Sequence, residues 1–416
     1  MLRMLPYKSL TEPFDPNTYL KNWETVELKA REKGFTWATL YENYEDNQYM
    51  SDSLLLVPRQ MAYEIENASR AVHDIFKKTY EQIGKNPSAL HQLGLPIMLW
   101  DLFLKESKTK FSYFVRYDFI ASSDGLKVIE ANTDTPVGIV EAAIAQEVLC
   151  NEHNSQNPNS EIDKRIRDTW YQVIKDYYIR STDTLYFTCA DWHTEDKQTV
   201  QYLMSHYPQK AKYVPLEEIV VQKDGLKTPD GEPIEYLYRL YPLEYFLEER
   251  SGTGEAIGEQ FLVHVMEDKV KIINPPSALL MQSKAILALI TEKKSEWYTR
   301  IEQDAIDKYF LPTYTSPNSL NSYVKKPVLG REGGGIQIVA NGAVLEEDVD
   351  HYQSQQTIYQ LYYQMPDQTI DTWDGPYTGK LLIGSHVMDG QPSGLFFRVG
   401  GLITGNLSMF VPYTTI

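Results

Sequence analysis

Asp118 and Glu130 sit in two β-prone runs, Tyr113–Ala121 and Leu126–Asn132, that flank Ser123-Asp124-Gly125. A three-residue loop with its glycine in the left-handed conformation is a common hairpin connection. Such a loop sets Asp118 opposite Glu130 and Arg116 opposite Asn132. Opposed residues share a face, as do residues two apart on a strand, so all four side chains project together. A loop one residue longer or shorter would turn half of them away. Two facing carboxylates repel unless a cation lies between them. Mg²⁺ suits the pair, because it takes hard oxygen ligands and often bridges one or two carboxylates to phosphate oxygens. Asn132 offers an amide oxygen to the same ion, and Arg116 is a planar multi-donor for a phosphate. The alternative is a surface hairpin with alternating charges.

A second group lies downstream in Val324-Lys325-Lys326-Pro327-Val328-Leu329-Gly330-Arg331-Glu332-Gly333-Gly334-Gly335. Adjacent glycines let backbone N–H groups approach anionic oxygens closely, and a lysine on the preceding strand adds positive charge. The lysine precedes the glycines and no Gly-Lys-Ser/Thr follows, so this is not a Walker loop. A flexible turn is the competing explanation. Lys284 stands alone among apolar residues in Ser283-Lys284-Ala285-Ile286-Leu287, where lysines commonly extend to solvent. Arg398 lies in the strand-like run Leu395-Phe396-Phe397-Arg398, which fits a site residue or an edge-strand surface residue.

The elements that must carry these groups are readable by period. Tyr19–Lys33, Ala62–Tyr80, Pro136–Cys150, Arg165–Tyr178 and Thr194–His206 predict helices. Ser112–Asn132 and Thr184–Ala190 predict strands. Residues 318–342 predict a strand, a glycine-rich loop and a strand. The last forty residues are strand-rich, with turns at Asp389-Gly390 and Gly400-Gly401. Helices and strands mix without a strict βαβ rhythm, so an α+β architecture is expected.

Composition sets the outer limits. A chain of 416 residues with 42% hydrophobic and 12% aromatic content builds a large core, with two or three lobes as the expectation. Acidic residues number 57 against 40 Lys plus Arg, for a formal charge of −17, which disfavours nucleic acid as a partner. A cationic small molecule would be mildly attracted, though a solvated acidic surface explains the balance equally. Cys150 and Cys189 are the two cysteines, so no disulfide framework or cysteine-rich metal site is expected. No signal-like start and no membrane-length apolar run stand out, so a cytoplasmic protein without a membrane partner is expected.

Taken in order, these pieces resemble the synthetase part of the glutathionylspermidine synthase family. The carriers are Arg116-Tyr117-Asp118-Phe119, Val128-Ile129-Glu130-Ala131-Asn132-Thr133-Asp134-Thr135-Pro136, Ile273-Asn274-Pro275-Pro276 through Lys284-Ala285-Ile286-Leu287, Val324–Gly335, and Ile383-Gly384-Ser385 through Ser393–Arg398. They keep their order from about residue 110 to the end. The resemblance implies an ATP-grasp fold with permuted motif order, the metal hairpin preceding the phosphate-binding lysines. Residues 1–100 carry none of these motifs, and their periodicity predicts a mainly helical region. A ligase core would span 101–416, with a substrate-side lobe inserted at about 150–275. The resemblance implies ATP and Mg²⁺, with Asp118, Glu130 and Asn132 as metal ligands and Arg116 and Arg398 as catalytic groups. Lys284 and Lys326 would contact the ATP phosphates under a lid around Gly333, Gly334 and Gly335. The loop is also similar to that of eukaryotic-type glutathione synthetase, which makes Glu332 a further metal-ligand candidate.

The implied reaction joins a peptide acid to an amine, a polyamine among the candidates, through an acyl phosphate. A different acid and amine, or a non-catalytic nucleotide-binding relative, are the alternatives, and a monomer or homodimer is expected. Bifunctional members carry a cysteine amidase before the synthetase. No cysteine precedes Cys150, so amide hydrolysis by that route is not expected. Val399 follows Arg398 where the family suggests an acidic residue, and no basic residue stands near Met409. Both departures bear on the substrates more than on the chemistry.

Overall fold

The computed structural model describes residues 4–42, 44–105, 110–122, 125–317, 320–349 and 351–416. Residues 123–124 of the expected hairpin loop and 318–319 of the expected strand lie outside them. The hub is an antiparallel sheet built on the strand Gly375–Met388. It pairs with Gln391–Gly400 on one side. On the other it pairs first with Asp367–Thr372 and then with Phe114–Ser122. Gly125–Asn132 and Met409–Val411 complete the sheet. The turn between the two long strands has φ of +49° at Asp389 and +75° at Gly390. Two positive φ values are what a twist-matched two-residue hairpin turn requires, and Asp-Gly supplies them.

The carboxylate hairpin reaches its expected opposition by an unexpected route. Gly125 is already paired with Ser122, so the strands begin one residue earlier than a three-residue loop would allow. A bulge between Asp118 and Phe119 then shifts the register by one. The two offsets cancel, and Asp118 faces Glu130 while Arg116 faces Asn132. Bulges of this kind re-aim side chains beside functional sites.

The helix Arg59–Lys85 covers the back of the hub. Its buried stripe includes Ile65, Ala68, Val72, Phe76 and Ile83, at the three- and four-residue steps of one helix face. Phe76 packs edge-on against Tyr117, with ring centres 5.3 Å apart, and the Ser69 and Ser385 hydroxyls meet at 2.7 Å. The helix Pro16–Glu32 begins at Asp15, whose side chain accepts from the Thr18 N–H at 2.8 Å, and proline occupies its first turn.

A second antiparallel sheet holds the lysine strand Tyr323–Pro327 between Thr357–Leu361 and Gln337–Ala340. Ahead of it, the helices Pro276–Gln282 and Ala285–Glu292 are buried almost throughout. Lys284 occupies the break between them rather than extending to solvent. Its N–H donates to the Val328 carbonyl at 2.9 Å.

A third sheet is parallel, in the order Lys271–Ile273, Tyr236–Leu240, Leu185–Cys189, Ala211–Tyr213. The α+β description holds for the chain as a whole, but this stretch is locally a βαβ unit through the helix Thr194–Ser205. Strands of three residues are too short to announce that rhythm in sequence. Among the described residues no helix is long and apolar enough to cross a membrane.

Candidate active site

The three sheets surround a cleft of about 400 Å³. Arg116, Asp118, Glu130, Asn132, Lys284, Lys326, Glu332, Gly333 and Arg398 all line it, whereas Gly334 and Gly335 do not. The hairpin is no surface ribbon, since Asp118 is 2% exposed and Arg116 7%. Arg116 donates to both oxygens of Asp118, Nε to Oδ1 at 2.7 Å and Nη2 to Oδ2 at 2.9 Å. Its Nη1 donates to the Val137 carbonyl at 3.0 Å, and its guanidinium lies 5.5 Å from the Phe396 ring centre. That ring fits because Gly384 has no side chain; a Cβ there would come 2.3 Å from Phe396.

The Asn132 amide donates to Asp118 at 3.4 Å and to Glu130 at 3.3 Å. Lys284 Nζ lies 3.3 Å from Glu130 and donates to the Gly330 carbonyl at 2.7 Å. Burial opposes the charge on Glu130, but Lys284, Lys326 and Arg116 outweigh it and hold the carboxyl well below the usual range. Burial raises Asp118, against the pull of Arg116 and together with repulsion from Glu130. The donors of Arg116 and Asn132 thus stand where a cation would balance the two carboxylates. This oxygen-rich, cation-balanced pair fits Mg²⁺, with the Asn132 amide turned to present its oxygen.

Lys326 is 4% exposed and donates to the Ile129 carbonyl at 3.0 Å and to Gln360 Oε1 at 2.8 Å. Burial pushes it down to about 8, with Glu130 opposing and Lys284 adding to the shift. Arg398 Nε donates to the Ser408 carbonyl at 3.2 Å, and its Nη2 to the Gly405 carbonyl. Glu332 sits apart from the hairpin. Its Oε2 accepts from Asn406 at 2.8 Å, and its charge helps to raise Glu195 and Asp196. Among the described residues, no three of His, Cys, Asp and Glu gather into a metal-holding group. Glu332 has φ of +53° and Gly333 +81°. A Cβ at Gly333 would lie 2.7 Å from Ile403, so the loop meets the C-terminal segment as closely as glycine permits.

Sequence reasoning missed two features. The first is a junction in which Arg239 donates to Asp134 at 2.6 and 3.2 Å, both side chains being fully buried. The Leu243 N–H also donates to Asp134, at 3.1 Å. The acid stood in the quoted Asn132–Pro136 run, but its partner is distant in the chain. The second is an acidic wall formed by Glu141, Glu195 and Asp196. Glu141 is 3% exposed and opens a π-type turn, Glu141–Ala145, of the sort often found at functional sites. Its Oε1 accepts from Trp37 at 3.2 Å and Tyr49 at 2.9 Å, while its Oε2 is buried with no protein partner. Burial raises Glu195 to about 8 and Asp196 to about 6, helped in Glu195 by Glu141 and in both by Glu332. In sequence, Glu195 and Asp196 look like ordinary acids in the first turn of a helix, which the helix dipole favours anyway.

The chain resembles known proteins along most of its length. A Haemophilus influenzae protein named "Putative acid--amine ligase" is 27% identical over 320 residues, covering 72% of this chain and 73% of that one. A glutathione synthetase-like effector from Globodera pallida, solved in its apo form, superposes with a TM-score of 0.60 at 11% identity, over 99% of this chain and 100% of that one. The latter shares the fold. The family described as glutathionylspermidine synthase preATP-grasp matches residues 18–415, nearly the whole chain, and this protein belongs to it.

Proposed function

We propose that this protein is an ATP- and Mg²⁺-dependent ligase that joins a carboxylic acid to an amine through an acyl phosphate. The observation that carries the reading is that one cleft brings together apolar, basic and acidic groups. Ile129, Val324, Leu361, Met365 and Leu382 line an apolar part suited to a nucleobase. Lys284, Lys326 and the hairpin carboxylates line the same cleft, suited to phosphates and their metal. The acidic wall of Glu141, Glu195 and Asp196 suits an ammonium group. The hairpin precedes the lysines in the chain, which we read as a permuted ATP-grasp order. Residues from about 150 to 275 serve as the substrate-side lobe, and residues 1–100 back the hub.

The substrate carboxylate attacks the γ-phosphorus of ATP and ADP departs. The amine nitrogen then bonds to the acyl carbon, the carbon–oxygen bond to phosphate breaks, and inorganic phosphate leaves carrying the former carboxylate oxygen. Magnesium supplies charge neutralisation at the phosphates when bound. The lysines hold the phosphates, and Arg116 and Arg398 stabilise charge on the moving phosphoryl group. The acidic wall draws in the cationic amine. A carboxylate raised towards neutrality, as Glu195 is, can accept the proton the amine must lose before it attacks. Glutathione and a polyamine are one substrate pair that fits, and another peptide acid with another amine fits the same wall. The test is ADP release in the presence of peptide acids and amines, with the amide identified by its mass. ADP formation that ignores both substrates, or no amide with any pair, would sink the reading.

A further inference from the structure

The glycine-rich loop is fastened across the cleft. Arg331 Nη2 donates to Glu244 Oε1 at 2.6 Å and its Nη1 to Thr135 Oγ1 at 3.3 Å. The guanidinium also lies 5.6 Å from the Tyr245 ring centre. The Arg331 side chain is 21% exposed and that of Glu244 10%. Glu244 does not line the cleft, whereas Arg331 does. Both acceptors ride on the same junction. Thr135 follows Asp134, and Glu244 follows Leu243, whose N–H donates to Asp134. Asp134 is in turn locked to Arg239 on the parallel sheet. Arg331 therefore spans from the lysine sheet to the point where the metal hairpin and the substrate-side lobe are joined. On the loop's other flank, Glu332 meets Asn406 in a single exposed contact. A half-buried arginine–carboxylate pair holds more strongly than such a contact, because its charges are less screened by water.

We propose that Glu244 is a positioning residue that docks the glycine-rich loop onto the substrate-side lobe through Arg331, so that closure of the loop depends on that lobe. The proposal rests on the ligase reading for its consequence. An acyl phosphate left uncovered is lost when a water oxygen bonds to the acyl carbon and the carbon–oxygen bond to phosphate breaks. The acid is regenerated, phosphate is released, and ATP has been hydrolysed without product. Coupling of ADP formation to amide formation is thus the property that the Glu244 contact protects.

Two measurements on the full chain test this. Hydrogen exchange in the free protein is followed at Gly330–Ile336, with the buried strand Tyr236–Leu240 as internal control. ADP released per amide formed is measured alongside. In Glu244→Ala, exchange in the loop should rise about tenfold or more with the control strand unchanged. ADP per amide should climb several-fold above the wild-type value. Glu244→Gln keeps a neutral acceptor and should fall between, and it carries the comparison if the alanine variant does not fold. Unchanged loop exchange, or parallel loss of ADP and amide at a constant ratio, would overturn the proposal and leave Glu244 as ordinary support for its lobe. If the wild type makes no amide with any substrate pair, the ligase reading fails, while the exchange data still decide whether Glu244 docks the loop.

Discussion

Lys326 gives the sharpest test of the phosphate site. Its ammonium is buried between the Ile129 carbonyl and Gln360, and burial lowers it from 10.5 to about 8. Polyphosphate arriving beside it would restore the charged form, so binding takes up a proton above pH 8. If the bound lysine returns to its ordinary value, each pH unit above 8 weakens ATP binding about tenfold, or ~1.4 kcal/mol. Between pH 8 and 10 the dissociation constant should rise roughly fortyfold, and it should be nearly flat below pH 7.5. Folding runs the other way. A lysine whose folded value is depressed destabilises the fold below about pH 8, and that cost is relieved as pH rises towards 10.5, because the unfolded chain then holds more protons. Weaker binding at high pH therefore cannot be ascribed to this lysine unfolding the protein. Calorimetry with a non-hydrolysable ATP analogue, at fixed ionic strength and in buffers of different ionisation enthalpy, gives both affinity and proton uptake. Lys326→Arg keeps the charge and should remove the slope. A flat wild-type profile, or an equal slope in the arginine variant, would refute the reasoning.

Asp118→Asn and Glu130→Gln should each lower turnover at limiting magnesium by more than about a hundredfold, whereas circular dichroism should remain native; near-normal rates in both would make the hairpin structural. Gly333→Val should collide with Ile403 and resist the +81° φ, so the variant should keep nucleotide binding better than amide synthesis, as product mass and ADP assays would show. Arg239→Met leaves Asp134 buried without its partner and should destabilise the protein by about 3–5 kcal/mol in urea unfolding. A loss under about 1 kcal/mol would mean that the junction does not depend on the pair.

The parts of the site that were legible in sequence are local. Asp118 and Glu130 face one another because strand alternation and a short connection leave few registers, and a bulge happened to compensate for a loop one residue shorter than expected. Lys326 and the glycine loop were legible as a strand followed by a turn. The acidic wall was not, because Glu141, Glu195 and Asp196 come from two separate helical segments and meet only when the hub and the parallel sheet pack. Nothing local to Arg239 in the sequence shows that it ends fully buried against Asp134. Glu332 shows how far a local motif reaches. A glutamate beside three glycines invites a metal role, and nothing local announces that its charge also acts on Glu195 and Asp196 or that its side chain accepts from Asn406.

The hub sheet joins strands made far apart in time. Phe114–Ser122 finds its second neighbour in Ile383–Met388, and that neighbour needs Gln391–Gly400 beyond it. At cellular rates of synthesis the intervening chain takes roughly tens of seconds to emerge from the ribosome. Throughout that interval one edge of the carboxylate hairpin offers unpaired N–H and C=O groups to any passing strand. The charges of Arg116, Asp118 and Glu130 on one face then have a use before any substrate is met. Charged side chains beside an open strand edge disfavour pairing with another chain, so three residues that line the finished cleft would also oppose edge-to-edge aggregation of the nascent hairpin.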